Sequence, residues 1–231
     1  LNCILRKENK KMNIKILTSY HKKCALVSSE IIRPIQVGTS INGTAYSDTL
    51  HDNTGINISD KNRMYCELTA QYWAWKNLEA DYYGFFHYRR YLSFNTGKHY
   101  KQDSWGNVCE PFFYDKLAEK YNWDDASIQK IVEKYDVILP EKKDIRAMPD
   151  MGHNMYEQYT AQKTLHEQDL QIMLDVIREK YPSYSKYAEQ YEKGYQTYFN
   201  NMFIMKKEIF ESYSKWLFDI LDECVKRGDY K

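Results

Sequence analysis

The run Asp81-Tyr-Tyr-Gly-Phe-Phe-His-Tyr-Arg-Arg-Tyr91 constrains this chain more than any other stretch. Tyr82 to Phe86 has the aromatic richness of a strand buried in a sheet. His87, Arg89 and Arg90 cannot share that environment without partners. The strand is therefore expected to leave the sheet near His87, and open α/β sheets collect ligands beyond the carboxyl ends of their strands. Two adjacent arginines there suit an anion, because a guanidinium makes two charge-assisted bonds to a phosphate and keeps its proton. Were the segment to stay extended through Tyr91, His87, Arg89 and Tyr91 would share one face and Tyr88 and Arg90 the other, so one arginine alone would reach the ligand. The alternative reading pairs both arginines with carboxylates at a sheet edge.

The rest of the chain reads as an α/β layer fold around that strand. Ile14 to Thr18 is a β-branched buried strand running into Ser19-Tyr-His-Lys-Lys23. A doubly wound sheet would hold a nucleotide base or ribose there, which makes Tyr20 and His21 candidates; an ordinary exposed loop is the equal alternative. Ile31 to Gly38 is a second strand in which Pro34 argues for an edge or a strand start. A loop from Asn42 to Ile58 feeds a helix over Ser59 to Leu78 whose core face is Met64, Leu68, Tyr72 and Trp75. Lys61 and Asn62 stand in its first turn, where an anion is favoured. Glu67, a turn further in, is a solvated or capping carboxylate, or a bond to a sugar.

Leu92 to Pro111 has little pattern and is placed to act as a lid. A short helix over Pro111 to Tyr121 follows. Asp124 then caps a helix burying Ile128, Ile131, Val132 and Tyr135, and Tyr135 to Pro140 is a second buried strand. The irregular stretch Glu141 to Gln158, with His153 near its middle, suits a connection framing an acceptor. Thr164-Leu-His-Glu167 reads as a capping box opening a helix that buries Leu170, Met173, Leu174 and Ile177, with His166 and Asp169 near its start. Tyr184, Tyr187 and Tyr191 fall on one side of the next helical stretch, as core packing first and sugar stacking second. A short strand, Asn201 to Met205, precedes a helix over Lys206 to Cys224 with Ile209, Phe210, Tyr213, Trp216, Leu217 and Ile220 inward.

Length and charge narrow the classes. The 231 residues fit one domain, placed over 12–231, with residues 1–11 a disordered or non-native extension. The net charge of +1 leaves no basic field for nucleic acid. Five scattered cysteines without a C-x-x-C spacing argue against a disulfide framework or zinc site, and with no long apolar run they point to a cytoplasmic protein. The 22 tyrosines fit a carbohydrate site without requiring one.

Several strings together resemble one family: Pro34-Ile-Gln-Val-Gly38, Gly55 to Asn62, Tyr65-Cys-Glu-Leu-Thr69, Tyr72-Trp-Ala-Trp-Lys-Asn77, Gly84 to Tyr91, Asn201 to Met205 and Trp216-Leu-Phe218. They are similar to the bacterial polysaccharide-biosynthesis domain once of unknown function and now regarded as a galactofuranosyltransferase family. The resemblance implies a single GT-A-like, nucleotide-sugar-binding α/β domain with a mostly parallel sheet and a helical C-terminal part. It implies transfer of galactofuranose from UDP-galactofuranose to an oligosaccharide or lipid-linked glycan of a capsule, O-antigen or exopolysaccharide, with peripheral association at the inner face of the cytoplasmic membrane. Many enzymes of this fold hold a metal with Asp-x-Asp where this chain has His87-Tyr-Arg-Arg90. Cationic side chains can take over that charge, so no metal or other cofactor is expected. Arg89, Arg90 and Lys61 would hold the diphosphate, and Tyr20, His21 and His87 the nucleotide or sugar. Inversion needs a base, with Asp169 first and His153, His166 and Glu67 in reserve. A metal-dependent hexopyranosyltransferase and a non-catalytic glycan-binding module are the alternatives.

Overall fold

A computed structural model describes residues 11–103, 105–148 and 150–228. All of the expected N-terminal extension except Lys11 lies outside those residues. In chain order the first elements are β1 (Ile14–Tyr20), β2 (Ile32–Gln36), α1 (Thr39–Asn42), β3 (Leu50–His51), α2 (Asn62–Tyr65), α3 (Leu68–Asn77) and β4 (Tyr82–His87). Then come α4 (Leu117–Lys120), α5 (Asp125–Val132), β5 (Val137–Ile138), β6 (Lys143–Asp144), α6 (Met155–Thr160), α7 (Glu167–Lys180), α8 (Pro182–Glu192), β7 (Gln196–Thr197), β8 (Phe203–Lys206) and α9 (Lys207–Arg227).

The main sheet has the order β3-β2-β1-β4-β8-β5. Strands β3, β2, β1 and β4 are parallel neighbours, and β8 runs against both β4 and β5. This is a mixed α/β fold with a six-stranded, mostly parallel sheet. Successive side chains of a strand point to opposite faces, and β4 fills both. Tyr82 and Phe86 join Ile14, Ile16 and Ile204 against Ile128 and Val132 of α5. Tyr83 and Phe85 join Leu17, Ile35 and Phe203 against Ala70, Trp73 and Ala74 of α3 and Phe210 of α9. A strand buried on both faces reads as a continuous apolar run, which is why Tyr82 to Phe86 stands out. Gly84 sits between Ile16 and Ile204, and a Cβ on it would lie 2.9 and 3.0 Å from their side chains.

Several expected boundaries shift for local reasons. Strand β1 continues through Tyr20, which is buried, so Tyr20 belongs to the strand rather than the loop. Pro34 lies inside β2, but β3 pairs with Ile35 and Gln36 alone, so the side of Pro34 lacking an N–H meets no strand. The helix expected over Ser59 to Leu78 is broken at Cys66, whose φ is 48°. The inward face is therefore set afresh from Leu68: Ala70, Trp73 and Ala74 are core, Tyr72 and Trp75 are half-buried, and Met64 is 50% exposed. Thr164 does not cap α7; the helix starts at Glu167 with His166 at its cap and no side-chain bond there. Tyr135 and Ile209 are exposed, and so are Tyr184, Tyr187 and Tyr191, because α8 buries no residue at all. The described residues of Leu92 to Pro111 form no regular element, yet the start of the stretch is anchored: Phe94 is buried and its N–H donates to the Tyr121 carbonyl at 3.0 Å.

Candidate active site

At the carboxyl end of β4 the backbone closes on itself. The His87 N–H donates to the Arg90 carbonyl at 3.1 Å and the Arg90 N–H to the His87 carbonyl at 2.8 Å, leaving Tyr88 and Arg89 at the tip of a two-residue turn. The Tyr88 N–H donates to the Ser19 carbonyl at 3.0 Å, which ties the turn to β1. The strand thus leaves the sheet at His87 as expected, but by a tight turn rather than an extended run.

The Tyr88 ring gathers the basic side chains of this edge. His87 lies 4.5 Å from it, His21 meets it edge-on at 5.3 Å, and the Arg89 guanidinium and Lys22 ammonium stand 4.9 and 5.8 Å from its centre. Among the described residues no carboxylate forms an ion pair with Arg89 or Arg90, and both are exposed. Pairing with carboxylates at a sheet edge, the alternative for these arginines, is not seen among the described residues. Burial pushes the His87 imidazole below its ordinary pKa, Glu67 opposes that shift, and Arg90, Arg89 and His21 add to it. Its Nδ1 is buried without a hydrogen-bond partner.

Glu67 enters this cluster because of the break in the helix. Cys66 combines φ 48° with ψ −128°, a region costly for any residue but glycine. The turn sets Glu67 ahead of α3, lining a small cavity with Ser19, Leu68, Gln71, Phe85, Phe86 and Asn201. Periodicity alone could not find this, since it ran one helix through Cys66. Asn201 was legible only as a strand residue, and Tyr88 only as a residue of the opposite face.

The second support is Asp52, fully buried and unremarked in the sequence. Its carboxylate accepts from the Gly38 N–H at 2.7 Å, the Thr39 N–H at 3.1 Å, the Ser59 hydroxyl at 2.6 Å and the Thr69 hydroxyl at 2.7 Å. Gly38 has φ +66°, and a Cβ there would lie 2.6 Å from Asn62 Oδ1. Three of the strings that carry the family resemblance meet at this one carboxylate.

The remaining candidates divide. Tyr20 bonds to Thr49 and stacks on Tyr46 at 6.0 Å, beneath the segment that borders an open groove lined by Arg33, Asp48 and Thr49. Lys61 lies 6.0 Å from the Tyr65 ring, next to α2. Asp169, in the first turn of α7, lies near Tyr159 and Cys224. His166 caps the same helix, and the exposed His153 pairs with Glu157 at 3.2 Å. These three belong to the α6–α7 part of the molecule rather than to the edge of the sheet. Among the described residues no group of three His, Cys, Asp or Glu side chains is placed to hold a metal ion, Cys24, Cys66, Cys109 and Cys224 are free, and no helix is long and apolar enough to cross a membrane.

A protein-family profile described as "Domain of unknown function (DUF4422)" matches residues 15–231. The chain belongs to that family. Among solved structures, the apo structure of WbbM, a bifunctional glycosyltransferase, is similar with a TM-score of 0.89 and 39% sequence identity. The match covers 95% of this chain and 38% of the WbbM chain, so this family member spans well under half of that enzyme. The sheet and its flanking helices are therefore a glycosyltransferase fold. No curated protein matches the chain.

Proposed function

We propose that this chain is a glycosyltransferase that moves galactofuranose from UDP-galactofuranose to a sugar hydroxyl of a growing cell-surface glycan, with inversion. The reading rests on the arginine turn at the carboxyl end of β4, where Arg89 and Arg90 stand exposed without carboxylate partners. Similarity to WbbM supports transferase chemistry, and the family resemblance supports the furanose donor.

In this mechanism the acceptor oxygen attacks the anomeric carbon as the bond from that carbon to the diphosphate breaks. UDP carries off the electron pair, and Arg89 and Arg90, with Lys22 beside them, stabilise its charge. Burial disfavours the charged form of the His87 imidazole, which suits it to hydrogen-bond a sugar hydroxyl. We assign the base that takes the acceptor proton to Glu67, because it lines the cavity beside the turn; Asp169 is the second candidate. The lipid-linked nature of such acceptors places the work at the inner face of the cytoplasmic membrane, which flotation with lipid-linked acceptor tests.

The deciding experiment offers UDP-galactofuranose and UDP-galactopyranose to galactose- and glucose-terminated acceptors, with and without EDTA. Product from the furanose donor alone, surviving EDTA, is expected. Turnover of the pyranose donor alone, abolished by EDTA, would establish the metal-dependent hexopyranosyltransferase instead. Glycan binding without UDP binding would mark a non-catalytic module.

A further inference from the structure

The exposed tyrosines of α8 and of the chain on either side of β7 are a feature that the proposed site does not use. Tyr187 is 66% exposed and Tyr191 52%, and Tyr195 and Tyr198 continue the series past the helix end. Along α8, Tyr184, Tyr187 and Tyr191 follow one another every three or four residues, about 5 Å apart along the axis. Soluble chains rarely leave so many rings in water together unless something covers them.

Three observations say what does. On the exposed side of α8 the rings are flanked by Ser183, Lys186 and Gln190, so this face sets ring beside hydrogen-bonding group instead of presenting an aliphatic surface for a protein partner. Two of the rings are held in place: the Arg146 guanidinium lies 3.4 Å from the Tyr195 ring centre, and Lys142 lies 5.8 Å from that of Tyr198. The series is also continuous with the candidate active site. Tyr198 precedes the cavity residue Asn201 by three positions, within about 11 Å even if extended. Between them Phe199 meets the exposed Trp105 edge-on at 5.4 Å.

We propose that this aromatic track, from Trp105 through Tyr198 and Tyr195 to Tyr191 and Tyr187, is a binding surface for the non-reacting part of an oligosaccharide acceptor. It rests on the transferase reading for the direction in which the chain lies. Sugar rings present apolar C–H faces that stack on tyrosine and hydroxyls that bond to its polar surroundings. The acceptor's reacting end would enter beside Asn201 and Glu67, and the sugars already added would follow the track away from it. Longer acceptors then bind more tightly because more rings are engaged.

The test uses a ladder of galactose oligosaccharides from disaccharide to hexasaccharide, with binding read by saturation-transfer NMR without donor and transfer read with UDP-galactofuranose. For the wild type, affinity is expected to rise about tenfold along the ladder. In the Tyr195→Ala/Tyr198→Ala variant that rise disappears, while the circular-dichroism spectrum stays as in the wild type. Tyr195→Phe/Tyr198→Phe keeps most of the rise, because the rings do the stacking. Affinity independent of length, or a variant that retains the full rise, would overturn the proposal. So would dimerisation at micromolar concentration lost in Tyr187→Ala, which would show a second copy covering the face. Length-dependent binding without transfer from any nucleotide sugar would leave the track standing and remove the transferase reading; transfer without length dependence would do the reverse.

Discussion

His87 and Arg90 exchange two backbone hydrogen bonds, and the turn they close places Arg89 at its tip and Arg90 at its base. The two arginines are therefore not equivalent. Arg89 packs against Tyr88 at 4.9 Å and its guanidinium is oriented by that ring. Replacing Arg89 with alanine is expected to weaken UDP binding roughly 10- to 100-fold, the worth of hydrogen bonds to a charged group. Lysine at the same position restores only part of it, because an ammonium lacks the planar fork. Calorimetric titration with UDP checks this; an Arg89→Ala protein that binds as tightly as the wild type would remove the turn from the donor site.

The His87 imidazole gives the fold a pH dependence of known sign. Burial holds its folded pKa below the ordinary value, with Arg90, Arg89 and His21 acting the same way and Glu67 against them. The unfolded chain thus binds the proton more readily than the folded one. The contribution to stability is complete above about pH 6.5 and is lost as pH falls through the folded pKa. Melting temperatures taken from about pH 7.5 to about pH 5 should decline more steeply for the wild type than for His87→Gln. Parallel profiles would mean that the group titrates alike in both states.

How much of this was legible depended on how local the cause is. Tyr82 to Phe86 could be read directly, because a strand buried on both faces must be apolar throughout, and the arginines after it had to leave the core. Asp52 could not be read, since its four donors come from Gly38, Thr39, Ser59 and Thr69, and only the fold brings them to one carboxylate. The helix face containing Met64 was misplaced because one backbone angle at Cys66 resets the period, and nothing in the composition of that segment marks it. Tyr184, Tyr187 and Tyr191 have the spacing of a buried stripe, yet spacing shows only that residues share a side, not that the side is covered.

Asp52 is fully buried among four donors, so its removal is costly. Asp52→Asn keeps the shape but turns an amide N–H towards groups that are themselves donors. A loss of about 2–4 kcal/mol in urea unfolding is expected, since buried donors are left unsatisfied. Because the same carboxylate anchors Gly38 and Thr69, the variant should also lose activity under conditions where it remains folded. Unfolding free energies within error of the wild type would show that the network is dispensable.

Glu67 and Asp169 are separated by a comparison that neither variant provides alone. Glu67 lines the cavity beside the arginine turn, whereas Asp169 lies near Tyr159 and Cys224. If Glu67 removes the acceptor proton, Glu67→Gln should lower kcat by about 10²–10⁴ while leaving UDP affinity nearly unchanged. Asp169→Asn, at the start of a helix that favours negative charge, should cost some stability but little kcat. The reverse pattern would move the base to α7, and the cavity at the strand ends would then hold the sugar without taking its proton.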